Sequence, residues 1–281
     1  MSSTDNGLRS KPKRHARRGE ADLATNVAED VAFLTMGIHD PHSFPGRLIV
    51  VEGIDGSGKS TQLSLLQTYL VSEGYDVSFT EWNSSPIVKD TTKRGKKKNL
   101  FSPTTFSLIH ATDFADRHER SILPPLQAGL IVLADRYAYT AFARDAARGC
   151  DPPWIRNLYD FATRPDLALY FRVDIDTAVA RITGGRIQLK FHEAGMDLGL
   201  SPDPITSFRV FQSKVLEEYN RVAEEFDLTV IDGARSVVEQ QREVRKLVKP
   251  ILKGLRRTHA PRPTPISTAL AAAAAAAVKS A

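Results

Sequence analysis

Eight consecutive residues, Gly53-Ile54-Asp55-Gly56-Ser57-Gly58-Lys59-Ser60, followed by Thr61, have the spacing Gly-x-x-x-x-Gly-Lys-Ser. Those residue types suit one task, the cradling of a polyphosphate. Glycines carry no Cβ, so successive backbone N–H groups can turn inward as an anion nest. A helix opening at the end of the loop adds the partial positive charge of its N-terminus. Lys59 then reaches the β- and γ-phosphate oxygens, and Ser60 offers its hydroxyl to Mg²⁺. A metal held in this way also needs a carboxylate. Ile131-Val132-Leu133-Ala134-Asp135 is an apolar run that ends in one. Arg136 follows directly, and a guanidinium at such an edge can clamp a second phosphate bidentately.

Phosphoryl transfer needs further cations to neutralise charge that develops on the moving group. The loop itself offers only Lys59. Arg181, Arg186 and Lys190 surround Gly184-Gly185 and would suit a hinged basic lid that closes over phosphates and excludes water. The densest charge run, Lys93-Arg94-Gly95-Lys96-Lys97-Lys98, reads as a solvated loop, with a phosphate-rich substrate or an acidic partner as the sharper alternative.

These residues need strands and helices to position them. Leu48–Val51, Asp76–Thr80, Leu130–Ala134, Leu167–Val173 and Leu228–Ile231 are short apolar runs suited to buried parallel strands. Helical patterns cover 59–73, 104–127, 138–148, 153–162, 176–182, 204–226 and 235–256. Alternation of this kind predicts an α/β fold, a three-layer P-loop NTPase sandwich with a five-stranded parallel sheet and helices on both faces. In open α/β sheets ligands gather at the carboxyl ends of the strands, where Lys59, Ser60 and Asp135 would converge.

The net charge of +5 invites a nucleic-acid reading, but its distribution opposes one. Residues 1–45 hold six basic and six acidic side chains, whereas 253–281 hold five basic and none acidic. The excess therefore lies in a tail and leaves the middle of the chain balanced. We expect no nucleic-acid partner. No apolar stretch approaches the ~20 residues that span a bilayer, so no membrane association is expected. A lone Cys150 excludes an internal disulfide and suits a reducing, cytoplasmic setting. The composition divides the chain into a mobile arm over 1–45, in which 27–36 could form a short helix, a P-loop nucleotide domain over 46–256 with a lid at about 181–203, and a Pro/Ala-rich tail over 257–281.

A regulatory GTPase would need a guanine-reading Asn/Thr-Lys-x-Asp and an Asp-x-x-Gly switch, and Asp135 is instead followed by Arg136-Tyr137-Ala138. The order of motifs over about 48–246 resembles thymidylate kinase and related nucleoside monophosphate kinases. Val51-Glu52-Gly53 through Thr61 resembles that family's loop with its Glu-Gly start. Ala115-Asp116-Arg117 is similar to the helix whose Arg contacts the acceptor base. Asp135-Arg136-Tyr137 with Thr140 is similar to the Asp-Arg motif followed by a hydroxyl. Phe208–Tyr219, Val230-Ile231-Asp232-Gly233 and Val238-Glu239 resemble the closing helix and last strand. Two positions depart. The segment after strand two, which in the family carries an arginine for the acceptor phosphate, reads Thr80-Glu81-Trp82-Asn83-Ser84-Ser85. The place of the base-stacking aromatic is Asp113, with Phe114 one step off.

The resemblance implies an enzyme that uses ATP and Mg²⁺ and moves the γ-phosphoryl to a small-molecule nucleotide acceptor, dTMP in the first instance. ATP would sit on residues 53–61, with Lys59 on its phosphates and Ser60 and Asp135 on the metal. Arg136 would meet the acceptor phosphate, Arg117 and Thr140 the acceptor nucleoside, and Asp55 its sugar hydroxyl. Arg186 or a lid neighbour would span the transferring group. The family commonly dimerises through its helices, which opens the way to a homodimer. Two rivals stand beside this reading: a P-loop kinase with another acceptor (a deoxynucleoside, another nucleotide or polyphosphate), and a non-catalytic nucleotide-binding module.

Overall fold

The computed structural model describes residues 37–185 and 189–261. The expected helix at 27–36 and the residues beyond 261 lie outside that range. Five strands form one all-parallel sheet: β1 (Arg47–Glu52), β2 (Val77–Glu81), β3 (Ile131–Asp135), β4 (Leu167–Arg172) and β5 (Thr229–Asp232). Their order is β2-β3-β1-β4-β5. Register aligns Val51 on β1 with Asp135 on β3, so the loop after β1 and the carboxylate ending β3 emerge together at the C-terminal edge. Each expected strand is present, its bounds within one residue of the expectation.

The helices in chain order are α1 (Lys59–Ser72), α2 (Lys89–Lys97), α3 (Pro103–Arg117), α4 (Leu123–Gln127), α5 (Ala138–Ala146), α6 (Pro152–Leu158), α7 (Ile175–Gly185), α8 (Pro204–Glu225) and α9 (Val237–Ile251). Successive side chains on a strand point to opposite faces, and both faces of β1 are buried. Leu48 and Val50 join Phe142 of α5 and Phe211, Val215 and Tyr219 of α8 in one core. Ile49 and Val51 join Leu63, Leu66 and Leu70 of α1 and Val244 and Val248 of α9 in the other. These two cores make the three layers. Among the described residues, no helix is long and apolar enough to cross a membrane.

Three features differ from the sequence expectation. The helix expected over 104–127 is broken: α3 runs into a π-helical turn at His118–Ile122 before α4 begins. Pro124 and Pro125 have no N–H to continue an α-helical ladder, so the chain rewinds ahead of them. The charge run 93–98 is not an open loop, because Lys89–Lys97 is helical with only Thr92 and Gly95 buried. A stripe that thin gives no apolar period to read. Gly95 lies under the Phe101 ring there: a Cβ would lie 1.8 Å from Cζ of Phe101, so the ring would have to shift to admit one. Finally, residues 37–45, assigned by composition to a mobile arm, pack on the domain. Ile38 is in the core, its N–H donates to the Asp160 carbonyl at 3.2 Å, and the His42 ring meets Asp166 at 2.9 Å.

Candidate active site

The loop between β1 and α1 has the geometry its glycines predict. Gly53 and Gly56 take φ of 145° and 87°, and a Cβ on them would lie 2.6 Å from the Phe171 carbonyl and 2.7 Å from the Ala178 carbonyl. Gly58, also left-handed, is the N-cap of α1 and supplies no side-chain cap. The first N–H groups of a 14-residue helix are thereby left for an anion. Lys59 is the first helical residue and is buried. Burial, reinforced by the neighbouring Arg136 charge, pushes its ammonium down to about 8, against the opposing pull of Asp55 and Asp135.

Ser60 Oγ donates to Asp135 Oδ2 at 2.5 Å, which unites the two expected metal ligands. Asp135 Oδ1 is buried and has no hydrogen-bond partner. One hydroxyl and one carboxylate with an unused oxygen suit Mg²⁺, which takes its remaining ligands from phosphates and water. Asp135→Asn is expected to weaken Mg²⁺-dependent nucleotide binding by roughly 10–100-fold while sparing metal-free binding. Calorimetric titration of a non-hydrolysable ATP analogue with and without Mg²⁺ would show this.

Arg136 holds a left-handed backbone, φ 71°, a sparsely populated region for a residue with a Cβ. That conformation turns its guanidinium back over the loop, where Nη2 donates to Asp55 Oδ1 and Nη1 is buried with no partner. Asp55 Oδ2 meets Arg144 Nη2 of α5 at 3.3 Å and accepts from Gln212 Nε2 of α8 at 3.3 Å. Neither Arg144 nor Gln212 was singled out from sequence. Arg144 lies four residues beyond Thr140, on the helix that follows the Asp-Arg pair, and that spacing could have found it. Gln212, 157 residues from Asp55, left no local trace.

Two expected substrate residues are turned inward. Thr140 is buried, and its hydroxyl donates to Glu52 Oε2 at 2.6 Å and pairs with the Tyr219 hydroxyl at 2.9 Å. Glu52 is fully buried and also accepts from the Tyr137 N–H at 2.7 Å and the Tyr219 hydroxyl at 2.8 Å. Burial raises its carboxyl, and the Thr140 and Tyr219 hydroxyls oppose the rise. Arg117, 2% exposed, donates through Nε to Thr80 Oγ1 at 3.1 Å and through Nη2 to the Arg136 carbonyl at 3.5 Å. Both therefore brace the ends of β1, β2 and β3 from within.

Beside Asp55 opens a cavity of about 480 Å³, a size suited to a small ligand. Its walls include Trp82 from the segment after β2, Lys96 and Lys97 of α2, and Arg144 and Arg148 on α5 and just beyond it. Burial, then Arg144 and Arg148, lower the Lys96 ammonium to about 8. The cationic wall thus comes from α2 and α5, while the segment after β2 contributes an indole. Lid residues complete the enclosure. Arg148 Nη2 donates to the His192 carbonyl at 2.9 Å, His192 Nε2 donates to the Lys96 carbonyl at 2.9 Å, and Gln212 reaches the Glu193 carbonyl at 3.1 Å. Of the expected lid cations, Arg181 binds the Gly233 carbonyl at 2.8 Å and the Gly56 and Ser57 carbonyls at 3.4 Å, and Lys190 lines the cavity. Arg186 lies outside the described residues.

Comparison with known proteins agrees with this geometry. Residues 51–244 match the family described as thymidylate kinase. The chain is 46% identical over 205 residues to the probable thymidylate kinase 2 of Saccharolobus solfataricus, covering 72% of this chain and 95% of that one. It is 32% identical over 211 residues to the probable thymidylate kinase of Thermococcus onnurineus, covering 72% and 96%. It is 30% identical over 220 residues to the thymidylate kinase of Caldanaerobacter subterraneus subsp. tengcongensis, covering 74% and 98%.

Proposed function

The chain belongs to the thymidylate kinase family, and on that premise we propose that it transfers the γ-phosphoryl group of ATP to the phosphate of dTMP, releasing dTDP and ADP. The observation that carries this reading is the meeting of two sites at one strand edge. The loop over 53–61 adjoins the cavity of about 480 Å³ through Asp55, which lines it. A donor on the loop and an acceptor in the cavity would face each other across Asp55 and Arg136.

In this reading Lys59 and the N-terminal amides of α1 bind the β- and γ-phosphates. Ser60 and Asp135 would hold Mg²⁺, which when bound neutralises phosphate oxygens. Arg136, fixed by its backbone and by Asp55, presents Nη1 to the acceptor phosphate. Arg144 and Gln212 orient the Asp55 carboxylate from two helices, and Asp55 in turn meets the sugar hydroxyl. Arg181 ties the loop to Gly233 and so fixes where the phosphates lie. The lid segment shuts the cavity through α2 and α5 and keeps water from competing with the acceptor. No general base is required, because the attacking oxygen is already anionic; positioning and charge neutralisation supply the rate.

The test is ADP release with ATP and Mg²⁺ across dTMP, other nucleoside monophosphates, deoxynucleosides and polyphosphate. We expect dTMP to exceed acceptors outside the pyrimidine deoxynucleotides by at least roughly tenfold in kcat/KM. Nucleotide binding without acceptor-dependent turnover would sink the assignment.

A further inference from the structure

Helix α2 holds the densest charge of the chain, and the cavity engages only its far end: Lys96 and Lys97 line the wall. Lys89 and Lys93 stand in the i, i+4, i+7, i+8 series with them, so the four lysines share one face of the helix. Lys89 and Lys93 are both exposed. From Lys89 to Lys97 the row climbs about 12 Å, at ~1.5 Å of rise per residue. The fold gains nothing from this row. Like charges at i, i+4 oppose a helix, and Gly95 weakens it further. Asp90 is its single acid, and only Thr92 and Gly95 are buried. The helix is held instead at the cavity end, where the Lys96 carbonyl accepts from His192 Nε2 at 2.9 Å and Lys96 Nζ lies 5.0 Å from the centre of the Phe106 ring. The cavity continues the same sign. Arg144, Arg148 and Lys190 line it as well, against the carboxylates of Asp55 and Glu193. Of these, Asp55 is already paired with Arg136 and Arg144. Trp82, Phe106 and Phe191 set low-dielectric surface between the charges. A cleft of one sign with such walls focuses its field and speeds the encounter with an opposite charge.

We propose that the exposed lysine row of α2 is an electrostatic ramp, which captures a phosphomonoester dianion from solution and guides it into the acceptor cavity. Lys89 and Lys93 act on the approach alone. They touch neither the seated acceptor nor the reacting atoms. The assignment rests on the dTMP-kinase reading and adds how the acceptor arrives. Association should therefore depend on the row, while dissociation and chemistry should not. The dependence should also fade with salt, because the screening length falls from about 30 Å at 0.01 M to about 3 Å at 1 M.

Trp82 lies in the cavity, so stopped-flow tryptophan fluorescence can follow dTMP binding. The proteins compared are the wild type, Lys89→Gln/Lys93→Gln, Lys89→Glu/Lys93→Glu, and a control with the same charge change on exposed positions of α9, Lys246→Glu/Lys249→Glu. At about 0.01 M salt the α2 Glu pair should slow dTMP association by about tenfold, and the Gln pair by less. Dissociation, and kcat at saturating dTMP, should match the wild type. At about 0.5 M salt the proteins should converge. Thymidine carries the same base and no charge, so its inhibition constant against dTMP should be the same in all of them. An association rate that ignores the Glu pair overturns the ramp. So does an equal slowing by the α9 control, which would assign the effect to net charge. Loss of kcat or of thymidine inhibition in the α2 variants would mark the helix as structural and overturn it too. A thermal melt of each protein checks folding, and should the Glu pair fail to fold, the Gln pair decides by the salt dependence of its rate. If polyphosphate, added as competitor, loses its grip on the Gln pair while dTMP association stays put, the row is a polyphosphate track and the proposal falls. If the wild type phosphorylates dTMP at an association rate blind to the row, the ramp falls and the kinase reading stands. If the wild type does not use dTMP, both fall.

Discussion

Lys59→Met should lower kcat by about 10³-fold or more and at the same time raise the melting temperature. The first effect follows from position: Lys59 opens α1 where the phosphates would gather, and no other cation occupies the loop. The second follows from burial. The ammonium titrates at about 8 rather than the ordinary 10.5, so at neutral pH the folded chain holds a charge that burial disfavours. The folded pKa lies below the unfolded one; hence the folded state binds fewer protons between pH 8 and 10.5, and stability gains as pH rises through that window. Below pH 8 the full penalty is present, at most on the order of 3 kcal/mol. Met keeps the stem and removes the charge. The variant should therefore melt several degrees higher at pH 7, at about 2–4 °C per kcal/mol for a domain of this size, with the gain shrinking toward pH 10.5. Parallel melts of the two proteins at pH 7 and pH 10 would check the sign. A variant that loses activity and stability together would mean that Lys59 supports the loop rather than awaiting phosphate.

Glu52→Ala should cost about 4 kcal/mol, because removing one partner of a buried network strands the others. Three donors converge on the carboxylate: the Tyr137 N–H, the Thr140 hydroxyl and the Tyr219 hydroxyl. They come from the turn after β3, from α5 and from α8, so Glu52 ties the end of β1 to three separate elements. The melting temperature should fall by about 8–16 °C. Activity measured well below that temperature should fall as well, since Tyr137 directly follows Arg136 and its N–H bond to Glu52 helps hold the turn that aims the guanidinium. Glu52→Gln should be milder. Its carbonyl can keep the Tyr137 N–H, while its amide donates to two hydroxyls able to rotate into acceptors. Chemical denaturation of the three proteins would rank them, and equal losses for Ala and Gln would show that the carboxylate charge, not the hydrogen-bond geometry, matters.

Much of this architecture is legible in local pattern. Five apolar runs, the glycine loop and the strand ending in Asp135-Arg136 each depend on residues within a few positions of one another, and all are found where the sequence places them. What could not be read locally is the direction in which a side chain points once the elements pack. Thr140 and Arg117 have the right types and spacing for substrate contact, but Tyr219, 79 residues beyond Thr140, takes up the Thr140 hydroxyl, and Thr80, 37 residues before Arg117, takes up its Nε while Nη1 stays without a partner. Helix α2 escaped notice because Gly95 and Thr92 bury almost no apolar surface.

The pairing of Asp55 with two arginines has a consequence for turnover. Arg136 and Arg144 already hold an anion, the carboxylate built into the loop. On the proposed reading, a phosphate that arrives at Arg136 Nη1 would meet a guanidinium already paired with Asp55 and would not gain the full attraction of two bare guanidinium groups. The ground-state complex is thereby kept shallow. When transfer adds charge to the acceptor, Asp55 would go on neutralising the arginines, so that the more highly charged product would not be trapped by the electrostatics that assembled the reaction. The loop carries its own competitor, and that competitor helps empty the site.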